Sequence, residues 1–221
     1  MPFPGGLEAT ANGTLLFSII AALVYLLIVK RPPSWRRTVV KALSTALLAL
    51  LAAIEGGPAL LVLALALGSL GDAFLANDGE RAFLGGLTSF LAAHLAYVWL
   101  FWSAGYGAET LGAEIWRLAG TVLILGLAAV MMYMLLPTVG GDLRIPVGVY
   151  VGAIVLMGLT ALTLDKPMVI LGAAMFMASD TILASEKFLL AERSPHRRWT
   201  PYAVWTLYYA GQAAIALGFL S

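Results

Sequence analysis

Eight apolar runs, each near the length of a membrane-spanning helix, follow one another along this sequence. They cover residues 14–29, 39–54, 58–76, 82–103, 115–137, 145–164, 167–190 and 201–220. A helix needs about 20 apolar residues to cross the hydrocarbon core of a bilayer, and proline and glycine separate most of the runs. Because 61% of the residues are hydrophobic and only 11% are charged, the pattern predicts an all-α, polytopic membrane helix bundle. Only short loops remain between the runs, so residues 1–221 form a single transmembrane domain in this interpretation.

The distribution of Lys and Arg predicts the orientation of this bundle. Eleven of the 13 basic residues lie in odd-numbered loops, counted from the N-terminus. Since basic residues are retained in cytoplasmic loops, the eight transmembrane helices are expected to leave both termini outside. The first run is not expected to be a cleaved signal peptide, because Lys30 and Arg31 follow it. The protein is therefore predicted to be an integral, multi-pass membrane protein, of the plasma membrane if it is bacterial.

Composition also excludes several kinds of chemistry. The absence of cysteine rules out disulfides, thiol nucleophiles, iron–sulfur clusters and cysteine-ligated zinc. A net charge of +1 gives no global field for nucleic acid, so no nucleic-acid partner is expected. Only His94 and His196 supply imidazole, and we predict neither a metal nor a cofactor.

Two aspartates lie inside the apolar runs and are the candidate catalytic residues. Asp72 and Asp180 each lie within one of the apolar runs, and a charged side chain at bilayer depth is costly unless it is paired, protonated or hydrated. Two simpler interpretations remain open. Asp72 could be interfacial, because the turn that contains Asn77 follows closely, and Asp180 could form a structural ion pair with Lys187.

The two aspartates also occupy related hexapeptides. The segments 71–76 and 179–184 share a small residue, Asp, two further residues, Leu and Ala, at a separation of 108 positions. A parallel duplication of two four-helix halves would explain this match. The two carboxylates would then face each other across a pseudo-axis along the membrane normal.

Polar residues also form stripes on the fourth and eighth runs. Residues spaced by three or four positions share one face of a helix. The two stripes are Phe90, His94, Tyr97 and Phe101, and Pro201, Trp205, Tyr208 and Gln212. We expect these stripes and the two aspartates to line a water-containing cavity open toward the cytoplasm, because buried polar groups need partners.

Four segments in this order resemble the lysoplasmalogenase family, also called YhhN-like. The matching segments are Gly71-Asp72, residues 85–90 with His94 and Tyr97, residues 179–184 with Phe188, and residues 208–212. The resemblance implies an eight-helix membrane protein that hydrolyses the vinyl ether bond of lysoplasmalogens. It also implies release of a fatty aldehyde and a glycerophospho-ethanolamine or glycerophospho-choline, with Asp72 and Asp180 as catalytic residues.

The reaction itself asks for a proton donor and an anionic base, and two carboxyls in unequal environments can supply both. We assign the deeper Asp180 as general acid and Asp72 as the carboxylate that stabilises the cation and orients water, although the roles could be exchanged. Membrane lipid surrounds the bundle, and a lysophospholipid substrate is expected to meet polar residues around the two aspartates. The predicted substrate-binding residues are His94, Tyr97, Ser179, Lys187, Tyr208 and Gln212.

Two other function classes fit the same residues. A small-solute or proton-coupled transporter also uses buried aspartates and polar residues near the membrane centre. A metal-dependent intramembrane lipid hydrolase would need about three protein ligands for zinc, for which His94 with two aspartates is a poor set. Release of aldehyde in the presence of a chelator distinguishes the vinyl ether hydrolase from both alternatives.

Overall fold

Long helices account for most of this chain. The computed structural model describes residues 2–6 and 8–220. Within this part of the chain there are eight long helices and no strands. The helices are α1 (Thr10–Ile28), α2 (Trp35–Ile54), α3 (Ala59–Leu75), α4 (Glu80–Ala104), α5 (Ile115–Leu135), α6 (Gly141–Ala161), α7 (Pro167–Phe188) and α8 (Thr200–Leu220).

Seven of these helices are long and apolar enough to cross a membrane. The remaining one, α3, is apolar but has 17 residues. Because each of the seven contains at least 18 residues with a high mean hydropathy, the protein is an integral, multi-pass membrane protein.

The predicted runs and the observed helices correspond one to one, with ends that differ by a few residues. The first two helices begin four residues before the predicted runs, at Thr10 and Trp35. Two short elements were not predicted, a helical turn at Thr110–Ala113 and a 3-10 helix at Pro195–Arg198. Both are only four residues long, so they carry no periodic apolar pattern.

Small residues allow the helices to approach closely. In α7 and α8, a Cβ added to Gly211 would lie 2.8 Å from the carbonyl oxygen of Gly172, so the two backbones touch at this point. Close backbone approach at small residues is the usual way in which helices pack within a membrane. The pairs α1–α2, α2–α3, α3–α4 and α7–α8 pack extensively, and α4 also packs across the bundle on α6.

The bundle places the polar stripes of α4 and α8 in its interior. Phe90, His94, Tyr97 and Phe101 on α4 are all buried, as the helical spacing predicted. On α8, Trp205, Tyr208 and Gln212 are also buried, and Pro201 is partly exposed. In contrast, most of α5 is exposed, so this helix lies at the periphery.

Candidate active site

The two aspartates predicted from the sequence line one cavity. The cavity has a volume of about 380 Å³ and is bounded by residues of α1, α2, α3, α4, α7 and α8. Asp72 on α3 and Asp180 on α7 both contribute to its wall. Asp72 is only 1% exposed, so its carboxyl lies inside the helix bundle.

Asp72 is held by hydroxyl donors and by one cation. Its Oδ2 atom accepts hydrogen bonds from Thr45 at 2.9 Å and from Tyr208 at 2.8 Å. Its Oδ1 atom lies 3.4 Å from Nζ of Lys41. This atom accepts no hydrogen bond from the residues that the structure describes. Two donors and a neighbouring ammonium group favour the ionised carboxylate.

Asp180 has a different environment. Its Oδ2 atom accepts a hydrogen bond from the Tyr150 hydroxyl at 2.9 Å and lies 3.4 Å from Nε2 of His94. Across the described ranges, no Lys or Arg nitrogen lies within 4.0 Å of this carboxyl. The alternative of a structural ion pair with Lys187 is therefore wrong.

The orientation of the His94 ring is set by its own helix. Its Nδ1 atom lies 2.7 Å from the carbonyl oxygen of Phe90. A carbonyl oxygen only accepts, so Nδ1 carries the hydrogen and Nε2 is directed toward Asp180. The ring of Phe176 packs against the imidazole at 4.7 Å between centroids and limits its movement.

A chain of hydrogen bonds connects three of the predicted substrate-binding residues to Asp72. Tyr97 donates to Oε1 of Gln212 at 2.5 Å, and Nε2 of Gln212 donates to the Tyr208 hydroxyl at 3.4 Å. Tyr208 in turn donates to Asp72. Tyr97 and Gln212 are fully buried and do not line the cavity, so they contact the carboxylate only through Tyr208.

The remaining two predicted residues lie in different places. Ser179 lines the cavity, and its hydroxyl donates to the carbonyl oxygen of Val204 at 3.0 Å, which fixes α7 against α8. Lys187 is exposed. Its Nζ atom lies 4.9 Å from the centroid of the Phe83 ring, at the wall of a second, apolar groove.

This apolar groove meets the polar cavity at Asp180. The groove lies between α4, α5, α6 and α7 and is lined mostly by leucine, isoleucine, valine, methionine and phenylalanine. Three residues line both spaces: Leu75, Asp180 and Leu183. Asp180 therefore lies at the boundary between a polar compartment and an apolar one.

The helices that contact Asp72 and those that contact Asp180 occupy corresponding positions in the order of the chain. Asp72 on α3 receives a hydroxyl from the preceding helix, through Thr45 of α2, and another from α8. Asp180 on α7 receives a hydroxyl from its own preceding helix, through Tyr150 of α6, and faces His94 of α4. If the bundle is divided into α1–α4 and α5–α8, each carboxyl contacts the second helix of its own four and the fourth helix of the other four.

A model of the YhhN family matches residues 36–219 of the chain. The match covers more than four fifths of the sequence. The chain belongs to the YhhN family. This family includes lysoplasmalogenases. No curated protein and no solved structure matches the chain.

The region matched to the YhhN family contains both aspartates and the five side chains described above as their polar partners. It begins within α2 and therefore omits α1. From α1, the chain adds Tyr25 to the cavity, together with Val29 and Lys30 just beyond the helix.

Three contact residues of this YhhN protein were not identified from the sequence: Lys41, Thr45 and Tyr150. Arg37, Lys41 and Thr45 are spaced by four positions, which places them on one face of α2. Lys41 lies within the predicted run 39–54 and in α2, but it was counted only among the eleven basic residues of the odd-numbered loops. Tyr150 is the only tyrosine in the run 145–164. Because the hydroxyl of a buried tyrosine usually has a hydrogen-bond partner, this residue could have been identified as a candidate contact of an aspartate.

The arrangement of possible metal ligands is relevant to the alternative of a metal-dependent lipid hydrolase. In the described ranges, no three His, Cys, Asp or Glu side chains come close enough together to hold one metal ion. His94 and Asp180 are adjacent, but Asp72 has Lys41, Thr45 and Tyr208 as its neighbours.

Proposed function

We propose that this protein is a lysoplasmalogenase-like hydrolase that cleaves the vinyl ether bond of a lysoplasmalogen to give a fatty aldehyde and a glycerophospho-alcohol. The observation that carries the proposal is the pair of buried carboxyls in unequal surroundings at one cavity. Membership of the YhhN family supports the same reaction class. The reaction needs an acid and an anion, and such a pair provides both.

Asp180, together with His94, is the proposed proton donor. Because Nδ1 of His94 carries a hydrogen, a neutral ring has its lone pair on Nε2, which lies 3.4 Å from Oδ2 of Asp180. An unprotonated carboxylate and this lone pair would repel each other in a buried setting. One proton is therefore expected on the pair, and we assign it to the Asp180 carboxyl, with His94 as the residue that positions it.

Asp72 is the proposed anion. The donors Thr45 and Tyr208 and the nearby ammonium of Lys41 stabilise its negative charge. A fixed carboxylate beside the reacting bond stabilises an oxocarbenium ion without having to reorganise during the reaction. Its Oδ1 atom, which has no hydrogen-bond donor among the described residues, is available to orient a water molecule.

The proposed reaction proceeds in three steps. The acid at Asp180 first transfers its proton to the β-carbon of the vinyl ether, which leaves an oxocarbenium ion at the carbon attached to oxygen. Water then adds to that carbon and releases a proton, which returns to the Asp180–His94 pair. The hemiacetal finally breaks its bond to the glycerol oxygen, and its hydroxyl proton moves to that oxygen to give the aldehyde and the alcohol.

The two adjoining compartments suit a lipid with one chain. In the proposed complex, the headgroup occupies the polar cavity and the alkenyl chain occupies the apolar groove. The vinyl ether joins these two parts of the molecule, and Asp180 lines both compartments. Proximity of the acid to the labile bond follows from this arrangement.

The membrane orientation belongs to the same proposal. We infer that all eight long helices cross the bilayer and that both termini lie outside, since the basic loops are then cytoplasmic. The cavity, which is lined by Lys30 and Lys41, opens toward the cytoplasm in that orientation. The equivalent helix contacts of Asp72 and Asp180 support a parallel duplication of two four-helix halves.

Purified protein supplied with lysoplasmenylethanolamine in heavy water tests the reaction. We expect release of a fatty aldehyde that carries one deuterium on the carbon next to the carbonyl, because the acid proton exchanges with solvent before it reaches the β-carbon. The saturated 1-alkyl analogue is the matched control and should release no aldehyde. Failure to release aldehyde from the vinyl ether would refute the hydrolase and leave the transporter alternative. Loss of activity with a chelator would support a metal-dependent hydrolase instead.

A further inference from the structure

We infer that Lys41, with Arg37 and Lys30 beside it, forms the binding site for the phosphate of the lipid headgroup. The inference rests on the proposed function, because it assigns one end of the proposed substrate to one wall of the cavity. All three cations line that cavity; Lys30 lies just beyond the end of α1, and Arg37 and Lys41 lie on α2. None of them was predicted as a site residue from the sequence.

Lys41 is the central residue of this cation cluster. It is 12% exposed, and its Nζ atom lies 5.7 Å from the centroid of the Tyr25 ring and 5.9 Å from that of Trp205. The two aromatic rings and Asp72 hold the ammonium group at the cavity wall. Aromatic faces attract a cation without neutralising its charge, so the ammonium group can still attract an anion.

Arg37 carries a charge that no carboxylate of the described residues balances. Its Nη1 donates to the carbonyl oxygen of Ala76 at 2.6 Å, and its Nη2 lies 3.3 Å from both the Tyr25 hydroxyl and the carbonyl oxygen of Val29. These acceptors are neutral. The Nε atom is buried and has no hydrogen-bond partner among the described residues.

Lys30 adds a second unbalanced charge at the same wall. Its Nζ atom donates a hydrogen bond to the carbonyl oxygen of Arg198 at 3.5 Å. In the ranges 2–6 and 8–220, no carboxylate lies within 4.0 Å of Lys30 or Arg37. Two uncompensated cations beside a partly buried ammonium group attract an anion of high charge density, and phosphate fits such donors.

The position of the cluster matches the proposed substrate. The cations lie on α2 and just beyond α1, whereas Asp180 lies on α7 at the boundary with the apolar groove. A lysophospholipid with its phosphate at Lys41 and its chain in the groove would bring the bond between glycerol and chain to the two aspartates. Lys41 is therefore expected to determine specificity for a phosphate-bearing lipid.

Equilibrium binding tests this assignment without requiring turnover. The probe is a saturated 1-alkyl lysophosphoethanolamine, which has no vinyl ether, compared with a 1-alkylglycerol of the same chain length. Purified full-length protein should bind the phospholipid at least about tenfold more tightly than the alkylglycerol. In Lys41→Gln, this preference should fall about tenfold, whereas affinity for the alkylglycerol should remain within about twofold.

Three further variants provide controls. Lys41→Arg should keep most of the preference, because the charge remains. Lys30→Gln should lower it about two- to threefold, since this cation is more exposed. Arg36→Gln removes a neighbouring exposed charge that does not line the cavity and should leave the preference unchanged.

Several results would overturn the inference. Equal loss of affinity for both lipids in Lys41→Gln would assign Lys41 to packing or to Asp72 alone. An equal effect of Arg36→Gln would indicate general surface attraction. If glycerophosphoethanolamine without a chain competed as strongly as the lysophospholipid, the site would bind a soluble phosphate compound instead. Binding as expected without any aldehyde release from the vinyl ether would refute the hydrolase and leave the phosphate site standing.

Discussion

Replacing Tyr208 with phenylalanine removes one hydroxyl from the centre of the candidate site and leaves the ring in place. That hydroxyl donates to Oδ2 of Asp72 at 2.8 Å, lies 3.4 Å from the Thr45 hydroxyl and accepts from Gln212 at 3.4 Å. The change therefore deletes the connection between the buried Tyr97–Gln212 pair and the carboxylate. It should weaken the stabilisation of the anion that the proposed reaction needs.

The expected magnitude follows from the charge on the acceptor. A hydrogen bond to a charged group contributes about 1.5–3 kcal/mol, and about 1.4 kcal/mol corresponds to a tenfold change in rate. If the whole contribution is made in the transition state, turnover of Tyr208→Phe falls about ten- to hundredfold. The free energy of unfolding should fall by only about 1–3 kcal/mol, through the partner that Gln212 loses.

The adjacent tyrosine is a matched control. The hydroxyl of Tyr209 lies 2.8 Å from the Ser18 hydroxyl, and Tyr209 does not line the cavity. Tyr209→Phe should lower the free energy of unfolding by about 0.5–1.5 kcal/mol and leave turnover within about twofold of the wild type. Aldehyde release and thermal unfolding, measured on the same preparations, give both quantities. Near-normal turnover of Tyr208→Phe, or equal losses in the two variants, would refute the reasoning.

Three further predictions concern the acid, the pH dependence and the helix packing. His94→Ala should lower turnover about tenfold, less than Asp180→Asn, because the carboxyl itself remains; complete loss of turnover would make His94 a catalytic group. A plot of turnover against pH should be bell-shaped, since Asp72 takes up a proton at low pH and the proton shared by His94 and Asp180 is lost at high pH; a constant rate between about pH 5 and pH 8 would contradict this. Gly211→Ala should lower the free energy of unfolding by about 1–3 kcal/mol, because the added Cβ would lie 2.8 Å from a backbone oxygen of α7. Thermal unfolding should distinguish it from Gly126→Ala, whose Cβ meets nothing within 4 Å.

The helices of this protein could be predicted from the sequence because the bilayer sets their length. Apolar runs separated by proline and glycine predicted all eight long helices, since backbone N–H and C=O groups within a membrane must form hydrogen bonds inside each helix. The faces of α4 and α8 were also predictable, because His94 and Tyr208 share helical stripes with other large residues. The ends of the helices were not, because capping and fraying are not encoded in hydropathy.

The candidate site was predictable in part. Asp72 and Asp180 were identifiable because a carboxylate is rare within an apolar run. Lys41 was counted with the basic residues of the first loop, although the predicted run 39–54 and α2 both include it. The partners of the aspartates were not predictable, because a helical stripe fixes which residues share a face but not which helix lies opposite. For the same reason, the surroundings of Lys187 were not predictable. Lys187 is on the same helix as Asp180, but it lines the apolar groove.

Aldehyde release by purified protein carrying Asp72→Asn or Asp180→Asn tests the central claim most directly. The claim is that two carboxyls from non-adjacent helices, both at one cavity, act on one lipid molecule. Each variant should lower turnover of lysoplasmenylethanolamine by about a hundredfold or more, while the yield of folded protein and its thermal unfolding stay close to those of the wild type. Turnover within about twofold of the wild type in either variant would remove that aspartate from the reaction and contradict the claim.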